Sequence, residues 1–253
     1  KHNYLVTDPA DIPHALAEKL GPRVRPASRV ERIAPRGRGY VVTVGGREVP
    51  ADIVVVALPT RALSQVALDV PLPALTKRAI RELQMGTNAK LFAALSARPW
   101  RGAGQSGECL NDLGFQTSWE DHGKAGTGAG TLTIFAGGSV GAGFREGTPE
   151  QRVRRATTLL DAALPGMAAA YSGKAARMYW PANPYVGGSY SCFAPGQYLG
   201  FSEAWKPTGG IVFAGEHTSE KFSGYMQGGA ESGRIAAEKV LAMLKSINTG
   251  RAA

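Results

Sequence analysis

The sequence has no apolar stretch that approaches the roughly 20 residues needed to cross a bilayer. Its first residues, KHNYLVTDPADIP, also lack the apolar core of a secretory signal peptide. These absences predict a protein without a membrane span or export signal in the residues given, and they favour the cytoplasm. The chain starts at Lys1 rather than at an initiator methionine, so the prediction says nothing about any preceding segment.

Disulfide and metal-binding patterns are also missing. The 253 residues include two cysteines, Cys109 and Cys192, and four scattered histidines. That is neither a disulfide framework nor a zinc-ligand spacing. We therefore expect two buried or inert thiols and no metal site.

Acidic residues are the scarcer charge, with 20 against 29 basic residues, which gives a net charge of +9. Such a balance suits nucleic acid, anionic substrates or an acidic partner surface. However, the basic residues are spread singly, and the densest cluster, VRRA at 153–156, lies in a predicted amphipathic helix. We expect solvated helix faces rather than nucleic-acid binding.

A dinucleotide-binding fingerprint, in which glycines follow a strand and open a helix, is absent too. The glycine-rich stretch GTGAG at 126–130 precedes an apolar run and opens no helix. It is predicted to be a flexible turn.

The patterns that are present indicate an α/β protein. Residues 9–20 predict a helix with Ile12, Leu16 and Leu20 on one face and Gly21 as its stop. Short β-type runs follow at 28–34, 40–44 and 47–50. The run IVVVAL at 53–58 does not alternate, which predicts a strand buried on both faces, as in a parallel sheet covered by helices.

A second pattern occupies the middle of the chain. Strands are predicted at 89–95, 115–121 and 131–137, followed by a helix with Thr148 as its N-cap. The buried-strand pattern returns at 211–215, before a helix at 225–245. The sequence thus predicts a discontinuous Rossmann-like domain, residues 1–58 and 184–253, with an inserted α+β domain at 59–183.

The closing segment, FAGEHTSEKFSGYMQGGAESGRIAAEKVL at 213–241, joins a strand to a helix rich in small residues. A glycine in a helix interior costs about 1 kcal/mol relative to alanine, so Gly228, Gly229 and Gly233 need a reason. Helix N-termini attract anionic ligand atoms, and glycines permit close approach to the backbone. The alternative is an ordinary helix packed tightly on a sheet.

This segment resembles the C-terminal flavin-binding segment of the flavin-containing amine oxidases, the monoamine and polyamine oxidase family. Three further stretches resemble that family in the same order: RVERIAPRGRGYVVTVGGREVPADIVVVALP at 29–59, MGTNAKLFAAL at 85–95 and WPANPYVGGSYS at 180–191. The resemblance implies FAD, hydride transfer from an amine carbon to flavin N5, and O₂ as acceptor, giving an imine and H₂O₂.

The resemblance also implies catalytic residues. Lys90 would order a water that faces flavin N5, and Tyr190 and Tyr225 would form an aromatic cage for the amine. A lysine is seldom buried without a partner, so Lys90 is informative; its alternative role is an edge-strand lysine that prevents aggregation. The alternative for the tyrosines is a place in the core.

Cofactor contacts are implied for further residues. The backbone of Val30 would meet the adenine, Trp180 would pack beside the isoalloxazine, and the Met226 N–H would bond the flavin C2=O. Gly215 and Glu216 lie where the family binds FAD, with Glu216 accepting from ribityl or ribose hydroxyls. Ser189 stands where some members carry a cysteine linked covalently to the flavin, so we expect non-covalent FAD, although Cys192 lies nearby.

The largest departure from the family is the missing first half, which carries the glycine-rich pyrophosphate site. We expect a second chain to supply it, giving a hetero-oligomer whose other piece is a separate subunit or a product of the same precursor. Two alternatives stay open: an L-amino acid oxidase, which needs an arginine for the carboxylate, and a non-catalytic subunit that keeps the fold.

Overall fold

The computed structural model describes residues 8–121 and 128–251. The strands are β1 (Val30–Arg36), β2 (Gly39–Val44), β3 (Arg47–Ala51), β4 (Val54–Val56), β5 (Ala67–Leu68), β6 (Gln84–Met85), β7 (Ala89–Leu95), β8 (Cys109–Leu110), β9 (Thr117–Glu120), β10 (Gly130–Ala136), β11 (Tyr171–Tyr179), β12 (Ser191–Cys192) and β13 (Ile211–Phe213). The helices are α1 (Asp11–Leu20), α2 (Thr60–Leu63), α3 (Ala74–Glu82), α4 (Pro99–Gly102), α5 (Gly138–Gly143), α6 (Pro149–Leu160), α7 (Met167–Ala170), α8 (Gln197–Gly200) and α9 (Met226–Arg251).

The chain divides into two compact units: Lys1–Asp52 with Val66–Val70, and Ile53–Gln65 with Pro71–Ala253. This partition differs from the three-segment division predicted from the sequence, whose boundaries stay a prediction. Part of the glycine stretch at 126–130 falls outside the described residues.

The first unit contains helix α1 and a four-stranded sheet of order β3-β2-β1-β5. Helix α1 ends at Leu20, and Gly21, with a φ of 57°, is its C-cap, as predicted. The predicted apolar face of α1 is exposed: Ile12 is 45% exposed and Leu16 is 57% exposed. The helical periodicity predicts which residues of α1 share the apolar face. It does not predict whether that face is covered, and no described residue covers it.

The second unit is built on a five-stranded antiparallel sheet of order β11-β7-β10-β9-β8. Residues of β7 alternate between buried and partly buried positions, so only one face of the sheet is fully covered. The covered face packs on helices α6 and α7 around Leu91, Leu132, Ile134, Val153, Leu160 and Met167. Helix α6 begins with the predicted N-cap, because Thr148 and Gln151 form a reciprocal capping box.

Strands β4 and β13 pair in parallel, although the five-stranded sheet lies between them in the sequence. The α/β part is therefore discontinuous, as predicted. Strand β13 is buried along its length, but Val55 of β4 is 44% exposed, so the expectation of burial on both faces is wrong for β4. The reason is that β13 is its only partner among the described strands and nothing described covers its outer face.

Helix α9 packs on β13 through a small cluster of Val212, Ala214 and Ala236. Among the described helices, none has the combination of length and hydropathy that a bilayer crossing requires.

Candidate functional site

Strand β13 leads through a tight turn into the loop before α9. Gly215 has a φ of 138°, a conformation that side chains rarely adopt. A Cβ at this position would lie 2.5 Å from Cε1 of His217. The Gly215 N–H donates to Oγ of Ser232 in α9 at 2.9 Å, which fixes the turn against the helix.

The carboxylate of Glu216 joins β12 to the loop before α9. The Ser191 N–H donates to Oε1 at 2.8 Å, while the Ser191 hydroxyl and the Gly224 N–H donate to Oε2 at 2.8 and 2.6 Å. The predicted role of Glu216 as an acceptor from flavin hydroxyls depends on the lone pairs that these three donors leave.

A second set of hydrogen bonds joins β12 to the segment that leads into β7. The Gly86 N–H donates to the Tyr190 carbonyl at 2.7 Å, and the Ser189 N–H donates to the Gly86 carbonyl at 2.8 Å. The Ser189 hydroxyl donates to Oδ1 of Asn88 at 2.8 Å. Gly86 permits this approach, because a Cβ there would lie 2.6 Å from Oγ of Ser189.

The predicted cage residues lie in these two joined segments. The Tyr190 ring lies beside Gly224, with its Cδ2 3.6 Å from where a glycine Cβ would be, and Tyr225 follows directly. Tyr190 is 41% exposed and Tyr225 70% exposed, so neither is a core tyrosine. Their role in a cage stays a prediction.

Lys90 lies on the partly covered face of β7. It stands opposite Phe135 of β10 and Met178 of β11, so β7 is an interior strand and the alternative role as an edge-strand lysine is wrong. Its ammonium Nζ lies 5.6 Å from the ring centroid of Trp119. Trp180 follows Met178 by two residues, at the end of β11, and is 39% exposed.

The glycines of α9 have two different explanations. A Cβ at Gly228 would collide with the Phe222 carbonyl oxygen, so packing of the preceding loop requires glycine there. A Cβ at Gly229 or Gly233 would have no described atom within 4 Å. Those two positions leave the helix backbone open to a ligand, next to the α9 N-terminus at Met226 where backbone N–H groups lack intrahelical acceptors.

His217 lies behind the Glu216 turn. Its ring is only 6% exposed and meets Trp205 edge-to-face at 4.7 Å between centroids. Desolvation lowers the pKa of His217 to about 4, although the nearby Glu216 carboxylate opposes this. Nε2 has no hydrogen-bond partner among the described residues.

The remaining predicted residue, Val30, begins β1 in the first unit, and its contact with adenine stays a prediction. The described residues form no group of three or more His, Cys, Asp or Glu that could hold a metal ion. Sequence patterns missed Asn88, Trp119, Ser191 and His217. Ser191 and His217 stand out as buried polar side chains, and their burial is known only from the structure.

A parallel strand pair ending in a glycine turn, followed by a helix N-terminus, is an arrangement in which α/β proteins bind nucleotide cofactors. The model of the flavin containing amine oxidoreductase family matches residues 9–241. The chain belongs to this family.

Individual relatives agree with this assignment. An L-amino acid dehydrogenase of Synechocystis is 28% identical over 92% of this chain and 50% of its own length. A flavin-containing amine oxidase of Danio rerio is 25% identical over 95% of this chain and 47% of its own. The solved structure of cyclohexylamine oxidase from Brevibacterium oxydans is similar with a TM-score of 0.82 and 27% identity, over 93% of this chain and 53% of that chain. The chain thus spans about half the length of the curated relatives it matches.

Proposed function

We propose that this chain forms the substrate-side half of an FAD-dependent amine oxidase. One observation carries the proposal: hydrogen bonds join the segments that bear Lys90, Tyr190, Glu216 and Tyr225 into one network. These segments are distant in sequence, and each was selected by family resemblance rather than by proximity. Large aromatic side chains stay exposed around the network, as a ligand site requires.

The residues present fit a flavin. Gly229 and Gly233 leave space that a Cβ would fill, and the α9 N-terminus offers N–H groups and a positive dipole end to an electron-rich ring edge. Met226, Gly215 and Glu216 would hold the cofactor there, with Trp180 at its side. When bound, FAD would supply the redox chemistry, as the acceptor of a hydride from the amine carbon and the donor of electrons to O₂.

The chain's own residues orient the substrate. The exposed rings of Tyr190 and Tyr225 would attract an amine through their faces and exclude water from it, an attraction of about 0.5 to 2 kcal/mol. Lys90 presents an ammonium, with three N–H donors, that can hold a water. Its position on an interior strand fixes the Lys90 backbone in the sheet.

The side chains that share the sheet face with Lys90 favour an amine over an amino acid as the substrate. Described residues on that face of β7, β9, β10 and β11 include no arginine, and Arg177 of β11 donates instead to the carbonyls of Phe144, Arg145 and Gly147. The described strand residues of this face therefore offer no guanidinium to a substrate carboxylate. An L-amino acid is the second candidate, because the Synechocystis relative is an L-amino acid dehydrogenase.

A complementary half of the enzyme would supply the pyrophosphate site. Two observations support this part of the proposal: the relatives are about twice as long as the region matched, and β4 has a free edge with Val55 exposed. Sheets of two strands are marginal in water, so a further strand is expected beside β4. A second chain in a hetero-oligomer is our proposal for its source.

Non-covalent attachment of FAD is expected from Ser189. A serine hydroxyl cannot form the thioether of a cysteine, and this one is already bonded to Asn88. Acid precipitation of the yellow protein should release all flavin into the supernatant. Colour retained in the washed pellet would contradict this and would direct attention to Cys192.

The central test uses the assembled enzyme with its complementary half. Anaerobic mixing with a panel of amines and L-amino acids should bleach the flavin spectrum, with amines faster. Tyr225→Ala should slow reduction by about 2- to 30-fold, the loss of one ring face, and Lys90→Met should slow reoxidation by O₂.

Tyr185→Ala is the matched control, because Tyr185 is likewise an exposed tyrosine, at 81%, but its backbone N–H donates to Asn183 and takes no part in the network that joins Tyr190 and Tyr225. It should leave both half-reactions unchanged. A colourless assembly, or reduction that is indifferent to Tyr225→Ala and reoxidation that is indifferent to Lys90→Met, would refute the proposed function and favour the non-catalytic subunit.

A further inference from the structure

The Lys90 ammonium is stabilised by a ring rather than by a carboxylate. Its Nζ lies 5.6 Å from the centroid of Trp119, within the range of a cation–π contact. Within residues 8–121 and 128–251, no carboxylate forms an ion pair with Lys90. The two residues come from strands separated by β10, so the contact crosses the sheet face.

Trp119 is held in place independently of Lys90. The next residue, Glu120, points to the covered face, where it binds Arg98, Arg101 and the Trp100 indole N–H. Because side chains alternate along a strand, this anchoring turns Trp119 to the open face. There its ring meets Phe135, directly opposite Lys90, at 5.8 Å between centroids.

A ring holds an ammonium differently from a carboxylate. A carboxylate would accept hydrogen bonds from the lysine and occupy its N–H donors. A ring face attracts the charge without accepting a directional hydrogen bond, so the donors stay available for water. Trp119 therefore satisfies the charge of Lys90 while leaving its hydrogen bonds unused.

We propose that Trp119 is the positioning residue that fixes the Lys90 ammonium on the open face of the sheet. The proposal rests on the proposed function for the role of Lys90 in flavin reoxidation, but the contact itself is independent of it. Without the ring, the four-carbon stem of Lys90 would sample more orientations and spend less time where its water is needed.

The first measurement concerns the lysine alone. In the assembled protein, an amine-reactive acetylating reagent is applied and the modification of each lysine is followed by mass spectrometry. Lys174 on β11 is exposed and provides the internal reference. Trp119→Leu should increase the labelling rate of Lys90 relative to Lys174 by about two- to fivefold, as expected for one lost cation–π contact. Trp119→Phe should give a smaller increase.

The second measurement separates positioning from structural damage. Trp119→Leu should slow reoxidation by O₂ about two- to fivefold while anaerobic reduction by the amine changes less than about twofold. In a Lys90→Met background, Trp119→Leu should have no further effect on reoxidation, because the contact is already lost. Trp119→Phe keeps an aromatic ring for packing and carries the test if Trp119→Leu fails to fold.

Unchanged relative labelling of Lys90 in both Trp119 variants would overturn the proposal. Equal losses in both half-reactions, or an undiminished Trp119→Leu effect in the Lys90→Met background, would assign Trp119 a structural role only and also overturn it. If the assembly shows no flavin or no amine oxidation, the proposed function fails, while the labelling result still decides on the Trp119 contact.

Discussion

His217 makes the stability of the second unit depend on pH below neutrality. Its ring contacts the Gly215 turn on one side and Trp205 on the other. His217 is only 6% exposed, and its Nε2 has no hydrogen-bond partner among the described residues. Protonating this ring in place would bury a charge whose desolvation outweighs its attraction to the nearby Glu216 carboxylate, so the folded protein favours the neutral ring. The unfolded chain has no such constraint.

The magnitude follows from the two pKa values. Burial lowers the pKa of His217 from 6.5 to about 4. At about 1.4 kcal/mol per pH unit, the difference corresponds to about 3 kcal/mol of stability. Because the folded pKa is the lower one, this stability is fully present above pH 6.5 and is lost as the pH falls toward about 4. At about pH 5 the loss is about 2 kcal/mol.

The perturbation that isolates this effect is His217→Phe. Phenylalanine retains the edge-to-face contact with Trp205 but has no titrating nitrogen. Urea unfolding at about pH 7.5 and about pH 5 should show that wild type loses about 2 kcal/mol more than His217→Phe between the two conditions. His14→Gln is the control: His14 is exposed on α1, so its removal should leave the wild-type difference unchanged. Equal pH slopes for wild type and His217→Phe would refute the argument.

The remaining predictions concern packing. Gly228→Ala should lower the free energy of unfolding measured in urea, because the added Cβ would collide with the Phe222 carbonyl. Gly229→Ala should stabilise the flavin-free protein by up to about 1 kcal/mol and weaken flavin binding, because its Cβ would enter open space beside the helix. The reverse order of stabilities would contradict the two explanations of these glycines. Glu120→Ala should cost about 3 to 5 kcal/mol in the same assay, because it leaves the buried Arg98 without its carboxylate and removes the partner of Arg101. A cost below about 1 kcal/mol would show that this ion cluster contributes little.

Features encoded in a single short segment were predictable. The N-cap at Thr148, the stop at Gly21 and the strand before Gly215 all depend on neighbours within a few residues. The family motifs likewise lie in contiguous stretches, so their order along the chain indicated the fold and placed Lys90 and Tyr225 in separate segments. In these stretches the hydrophobic periodicity and the family resemblance predicted the same elements.

Features that depend on register or on distant partners were not predictable. The pattern of IVVVAL gives hydrophobicity but not what covers it, which is why Val55 was wrongly expected to be buried. Trp119 could be assigned to the face of Lys90 only after the pairings of β10 with both β7 and β9 were known. In the same way, the sequence does not show that Ser191 and Gly224 donate hydrogen bonds to the Glu216 carboxylate, which leaves fewer of its lone pairs for a ligand.

The charges of the second unit are divided between carboxylates bound by protein donors and an ammonium on the open sheet face, and this division is consistent with the proposed amine oxidation. The carboxylates of Glu216, Glu120 and Glu231 are bound by protein donors, whereas the open sheet face presents the Lys90 ammonium among aromatic rings. A carboxylate beside the substrate would stabilise the protonated amine. Removal of a hydride from the carbon next to nitrogen needs the nitrogen lone pair, which a protonated amine lacks. Aromatic recognition attracts the amine more weakly than an ion pair does, so it permits the proton to leave before the C–H bond breaks.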